Sequence, residues 1–215
     1  MVTLDSDAGI TELKRVVVLD YGVGNLGSLA GAFRRLNYRV RVSAEPAEFT
    51  GVDAVILPGV GAMPAAIHNL RDRGLDRVIA RLLEDGRTPV IGICLGMQLM
   101  FEHSEEGDVA GLGMLRGQVR RFANAGCHVG WSLCKAPLGN NKQVDGAFYF
   151  NHSYFVDPDP GVLKSHVQVD GHGAVAAIVQ SGNFVGVQFH PEKSQAMGAA
   201  LLRHFIETGD GNCHA

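Results

Sequence analysis

The chain has 215 residues, of which 46% are hydrophobic and 19% charged, with a formal net charge of −3. That is enough for one domain with a full core and too little for two ordinary ones. The faintly acidic balance argues against a phosphate-backbone partner, and no apolar run approaches the roughly 20 residues of a membrane-spanning helix.

Residues 1–14, MVTLDSDAGITELK, place acids early and hold no apolar stretch, so they read as a flexible extension and not a signal peptide. Arg15–Asp20 (RVVVLD) is a β-branched run of the kind buried on both faces of a parallel sheet. A glycine-rich turn then leads into a helix expected at about Ser28–Leu36, with Leu29, Ala32, Phe33 and Leu36 on one face. Tyr38–Ser43 and Val52–Leu57 read as strands. Leu75–Leu83 has helical apolar spacing and stops at Gly86. Thr88–Ile93 is the next strand, followed by a helix expected from Leu95 to about His103. Beyond Gly111 the strands Gln118–Phe122, Val129–Leu133, Ala147–Val156, Val162–Val169, Ala174–Gln180 and Phe184–Phe189 follow, with a hairpin at Ser181-Gly182-Asn183. A last helix at about Gln195–Thr208 offers Leu201, Leu202, Phe205 and Ile206 to the sheet. The pattern predicts an α/β fold: a single domain over 15–208 with a mostly parallel, doubly wound central sheet and an antiparallel strand-rich C-terminal half, then a tail at 209–215.

Cys94 stands between Gly92 and Gly96 in TPVIGICLGMQ (Thr88–Gln98), after an apolar strand and before a helix. This is a cysteine version of the nucleophile elbow, whose glycines allow a sharp turn where side chains would meet backbone. The helix start aims unpaired N–H groups and a positive dipole end at the sulfur, which favours a reactive thiolate. The competing reading is a buried small hydrophobe. Late in the chain, QFHPEKS places His190 and Glu192 two residues apart, so on a strand they share a face while Pro191 points away. A carboxylate that orients an imidazole beside a thiol makes Cys94–His190–Glu192 a candidate triad, against an incidental surface pair. Acyl chemistry also needs oxyanion donors; the N–H of Leu95 and the glycine-rich loop Pro58–Ala62 are the candidates.

Two patterns point elsewhere. Gly22, Gly24 and Gly27 match the dinucleotide fingerprint, with Glu45 near the end of the next strand, but that reading leaves Cys94, His190 and Glu192 without a role. Cys127-His128 and Cys213-His214 lack ligand spacing on a shared element, so neither a metal nor a cofactor is expected. The cysteines form no disulfide framework, which fits a reducing cytoplasm.

DYGVGNLGSL (Asp20–Leu29), LPGVGAM (Leu57–Met63), GICLGMQLMFEHSEE (Gly92–Glu106), GLGML (Gly111–Leu115), HVGWS (His128–Ser132), HSYFV (His152–Val156) and GVQFHPEKS (Gly186–Ser194) run in order over nearly the whole chain. Together they resemble the class I glutamine amidotransferases, whose signature is a G-x-C-x-G elbow and a late H-P-E. The resemblance implies that Cys94 attacks the side-chain amide of L-glutamine, with His190 as base and then acid and Glu192 orienting it. Water then hydrolyses the γ-glutamyl thioester. The family's oxyanion strand falls on Gly59-Val60-Gly61, beside Leu95. Its glutamine-holding residues fall on Gln98, Glu106, His152, Ser153 and Tyr154.

Within the class, the chain is similar to the branch that forms a heterodimer with a (β/α)8 barrel cyclase. That partner uses the ammonia to make imidazole glycerol phosphate and aminoimidazole carboxamide ribonucleotide in histidine biosynthesis. Asn25 and Lys193 match positions facing the barrel. The chain departs from the branch's usual residues at Cys127, Val129, Ser132 and Asn151. A paralogue feeding a related barrel in surface-sugar biosynthesis is the alternative, and a catalytically silent regulatory subunit a further one.

Overall fold

A computed structural model describes residues 13–123, 126–137 and 143–208; residues 1–12 of the expected extension 1–14, the tail and the Cys213-His214 pair lie outside the described residues. In chain order the elements are β1 (Arg15–Leu19), α1 (Leu26–Arg35), β2 (Arg39–Ser43), β3 (Ala54–Leu57), α2 (Met63–Asp72), α3 (Leu75–Asp85), β4 (Val90–Ile93), α4 (Leu95–Gln98) and β5 (Phe101–Ser104). Then follow β6 (Val109–Ala110), β7 (Leu115–Arg121), β8 (His128–Pro137), β9 (Gln143–His152), β10 (Tyr154–Pro158), β11 (Leu163–Val169), β12 (Gly173–Ser181), β13 (Phe184–Val187) and α5 (Gln195–Thr208).

The β-branched runs assemble a seven-stranded sheet of order β11-β12-β13-β4-β3-β1-β2. From β13 to β2 all neighbours are parallel, whereas β11 and β12 run antiparallel at one end. The parallel strands β3, β4 and β13 are buried along their whole length, as a sheet covered on both faces requires. Alternation divides the core. Val16, Val18, Ile56 and Ile91 pack with Leu29 and Phe33 of α1 and with Leu201, Leu202, Phe205 and Ile206 of α5. Val17, Leu19, Val55 and Val90 pack with Met63, Ile67 and Leu70 of α2 and with Leu75, Val78 and Ile79 of α3. Beyond this doubly wound core lie a four-stranded sheet, β10-β7-β5-β6, and a two-stranded ribbon of β8 and β9. No helix among the described residues is long and apolar enough to cross a membrane.

Several elements differ from the sequence reading. Helix α1 begins at Leu26, two residues early, because the Asn25 side chain accepts from the Ser28 N–H and caps it. Helix α2 was not anticipated, although Met63, Ala66, Ile67 and Leu70 carry helical spacing behind Pro64 in the first turn. The helix expected from Leu95 to about His103 is corrected to a single turn ending at Gln98. Residues 101–104 form β5 instead, paired with β7 in parallel and with β6 antiparallel. The returning chain crosses so closely that a Cβ at Gly111 would lie 2.1 Å from the Phe101 carbonyl oxygen. The strand expected over Ala147–Val156 is interrupted at Ser153, where the chain leaves the ribbon for the four-stranded sheet.

Candidate active site

Strand β4 delivers Cys94 to a turn with φ 51° and ψ −109°. That conformation lies outside the regions open to L-residues and is the strained geometry of a nucleophile elbow. The Cys94 N–H is held by the Val187 carbonyl at 2.7 Å. Three glycines make the turn possible. A Cβ at Gly96 would sit 2.0 Å from the Leu57 oxygen, one at Gly59 2.2 Å from the Gly96 nitrogen, and one at Gly92 2.8 Å from the Gly96 oxygen. Strand β3 and the elbow therefore touch backbone to backbone, and the Gly59–Gly61 loop lies directly against Cys94. The shortness of α4 corrects the dipole expectation: one helical turn directs a few N–H groups at the site, not the macrodipole of a long helix.

His190 and Glu192 are adjacent, but not through strand alternation. β13 ends at Val187, and Pro191–Lys193 is a 3₁₀ turn with His190 at its N-cap. The turn itself lets His190 Nδ1–H donate to Glu192 Oε1 at 2.9 Å. Its backbone is pinned twice. The His190 N–H donates to the Tyr149 carbonyl at 2.8 Å, and Ser194 Oγ–H donates to the His190 carbonyl at 2.7 Å. Burial alone would lower the His190 pKa; hydrogen bonds to Cys94 and Glu192, and the charges of both, outweigh it and raise the value to about 9. Both partners therefore favour the protonated ring.

Cys94 and His190 open on a cavity of about 280 Å³ whose walls include Gly59, Val60, Gly61, Leu95, Gln98, Glu106, Asn151, His152, Ser153 and Tyr154. Asn25 and Lys193 are not in it; they line a smaller hollow beside His190 and Glu192. Gln98 Nε2 donates to the Tyr154 carbonyl at 2.9 Å and to Gln188 Oε1 at 3.0 Å, so its amide oxygen is the end left to accept. Glu106 Oε2 accepts from the Met63 N–H at 3.1 Å, which ties the pocket wall to the start of α2. The His152 ring is engaged at both nitrogens, with the Tyr154 carbonyl at 2.7 Å and His128 at 3.2 Å, so it supports the wall and offers no free nitrogen to a ligand.

Sequence reasoning missed two contributors. Gln188 is fully buried and its Nε2 donates to Cys94 Sγ at 3.6 Å; its place two residues before His190, across the buried Phe189, was the available signal. Tyr21 O–H donates to the Pro58 carbonyl at the base of the Gly59–Gly61 loop. Burial, and secondarily the charge of Cys94, pushes the Tyr21 phenol above its ordinary pKa. The glycine fingerprint has a local explanation. Gly22 and Gly24 hold φ of 84° and 117° in the turn after β1, whereas a Cβ at Gly27 would meet open space. The close helix–strand approach that demands the third glycine of a dinucleotide site is missing.

A doubly wound sheet whose central strand ends in a strained cysteine, beside a buried histidine paired with a partly buried glutamate, agrees with the family comparison. The glutamine amidotransferase class-I family profile matches residues 17–208, and the chain belongs to that family. A crystal structure of a glutamine amidotransferase shares the fold with a TM-score of 0.71 at 20% identity, over 90% of this chain and 98% of that one. Within the family the chain groups with the imidazole glycerol phosphate synthase subunits HisH. It is 41% identical over 201 residues to the HisH subunit of Gloeobacter violaceus, covering 89% of this chain and 88% of that protein. It is 42% identical over 204 residues to that of Moorella thermoacetica, covering 91% and 95%.

Proposed function

We propose that this chain hydrolyses L-glutamine at Cys94 and passes the ammonia to a (β/α)8 cyclase that makes imidazole glycerol phosphate in histidine biosynthesis. The observation that carries the reading is a strained cysteine sharing one pocket with an imidazole held by a carboxylate. His190 takes the Cys94 thiol proton as the sulfur adds to the side-chain amide carbon, and the developing oxyanion faces the Leu95 N–H and the Gly59-Val60-Gly61 loop. His190 gives its proton to the departing nitrogen, the C–N bond breaks, and ammonia leaves a γ-glutamyl thioester. His190, now neutral, takes a proton from water; the hydroxide oxygen adds to the thioester, and glutamate and the thiol are released. Glu192 keeps the ring oriented throughout. Glu106 and the Gln98 amide oxygen suit the substrate ammonium, and the backbone of Ser153 and Tyr154 suits its carboxylate. The catalytic unit is residues 15–208, and its free thiols suit a reducing cytoplasm.

The ribbon supplies the surface for the partner. Val129, Trp131 and Leu133 alternate along one face of β8 and are 57%, 50% and 81% exposed. Trp131 contacts Tyr149 edge to face, and Lys193 Nζ lies 5.6 Å from the centre of the Tyr149 ring. An aromatic and aliphatic stripe beside Lys193 has the composition of an interface centre, and Asn25 shares with Lys193 the hollow next to it.

The test mixes the chain with the cyclase and its ribulosyl nucleotide. Cys94→Ala should abolish product formation from glutamine, while ammonium salt at alkaline pH restores it, because the acceptor site is untouched. Product from glutamine in the Cys94→Ala complex would exclude Cys94 as the nucleophile. An unmutated chain that hydrolyses glutamine but yields no imidazole product with this partner would exclude the acceptor.

A further inference from the structure

Behind the pocket wall runs a line of polar groups that the proposed chemistry leaves unused. Its direction follows from what each group can do. The Tyr154 carbonyl can only accept, so the 2.7 Å contact makes His152 Nδ1 the protonated nitrogen. Burial lowers the His152 pKa to about 4, so the ring is neutral at pH 7 and its Nε2 is bare. That Nε2 accepts from His128 Nδ1–H at 3.2 Å. Burial also lowers the His128 pKa, leaving its Nε2 bare to accept from Ser132 Oγ–H at 2.8 Å. Ser132 and His128 share a face of β8, and Gly130 between them has no side chain to keep them apart. The line ends on a junction, because the Tyr154 carbonyl also receives Gln98, and Gln98 reaches Cys94 through Gln188.

We propose that Ser132 is a positioning residue for the substrate site: its hydroxyl donates into the buried His128–His152 pair, whose tautomers the Tyr154 carbonyl sets, and by holding the His128 ring in place it anchors the pocket wall at Tyr154. The role rests on the reading of this pocket as a glutamine site. Without the hydroxyl, the bare His128 Nε2 loses its donor, and the ring loses one of the bonds that hold it against His152. Residues 151–154 then lose part of the support that sets their spacing from Gln98. The hydroxyl acts at a distance from Cys94 and His190, so its loss falls on substrate binding more than on the chemical step.

The experiment compares the unmutated chain with Ser132→Ala and Ser132→Thr. Nitrogen-15 NMR of the imidazoles in the free chain at neutral pH should show Nδ1 protonated in both rings of the unmutated chain and of Ser132→Thr. In Ser132→Ala both rings should keep Nδ1 protonated, while the His128 Nε2 resonance moves downfield as that nitrogen loses its hydrogen bond. In the complex with the cyclase, Ser132→Ala should raise the KM for glutamine about five- to tenfold, the worth of one buried hydrogen bond, with kcat within about twofold. Ser132→Thr, which keeps the hydroxyl, should restore the KM. An unmoved His128 Nε2 resonance in Ser132→Ala, an unaltered KM, or a threonine variant as poor as alanine would each overturn the proposal. An unmutated complex that turns over no glutamine would refute the glutaminase reading instead, and the imidazole spectra, which need no substrate, would still decide the relay.

Discussion

Replacing Cys94 by glycine should leave a more stable protein than replacing it by alanine. Both variants lose the sulfur, its packing at 7% exposure and its contacts with Gln188 and His190. They differ in the Cβ, which alanine must hold at φ 51° and ψ −109°. Keeping an L-residue in such a region costs about 1–3 kcal/mol. At a relaxed position glycine is the poorer residue by roughly 0.5–1 kcal/mol, because its unfolded chain has more freedom to lose. The difference leaves Cys94→Gly ahead of Cys94→Ala by about 1 kcal/mol, or roughly 2–4 °C in Tm for a chain of this size. Urea unfolding of the two variants, compared at equal slope, measures it, and neither should hydrolyse glutamine. A glycine variant less stable than the alanine variant would show that the elbow stores no strain at Cys94.

Three further outcomes can be checked. Glu192→Gln keeps an acceptor for His190 Nδ1–H but removes the negative charge that helps raise the His190 pKa, so the imidazole titration seen by NMR should move down from about 9 and kcat should fall with residual turnover; an unmoved titration would remove Glu192 from the triad. His152 titrates near 4 in the folded chain and near 6.5 when unfolded, so the unfolded state takes up the proton first. Its contribution is full above pH 6.5 and is lost as pH falls through 4, by about 3 kcal/mol; urea midpoints should decline over that window, and His152→Phe should flatten the decline. Leu133→Asp places a charge on the exposed stripe and should weaken partner association at least about tenfold while shifting stability by less than about 0.5 kcal/mol, measured by calorimetric titration and urea unfolding; unchanged association would move the interface off β8.

Sequence patterns were most readable where structure depends on near neighbours. Helix α5 spans Gln195–Thr208 as its apolar spacing predicts, because one stripe of Leu201, Leu202, Phe205 and Ile206 settles both its existence and its buried face. The parallel core was legible for the same reason: an uninterrupted β-branched run can be buried only between two layers. Cys94 between two glycines, and His190 two residues from Glu192, mark their chemistry within a few residues of chain. What depends on distant partners was not readable. LMFEHS after the elbow has no local feature that forbids a helix, and pairing with β7 made Phe101–Ser104 a strand. His190 and Glu192 meet through a 3₁₀ turn set by Pro191 and pinned by Tyr149 and Ser194, not through a pleat. The supporting bonds link residues far apart in the chain: Gln98 with Gln188 across 90 positions, Gln98 with Tyr154 across 56, and His128 with His152 across 24. The order of residues alone settles which groups are available for chemistry and which runs must be buried. Tertiary structure alone decided which of those groups touch, because a buried polar atom takes the partner the fold brings near, whatever its distance along the chain.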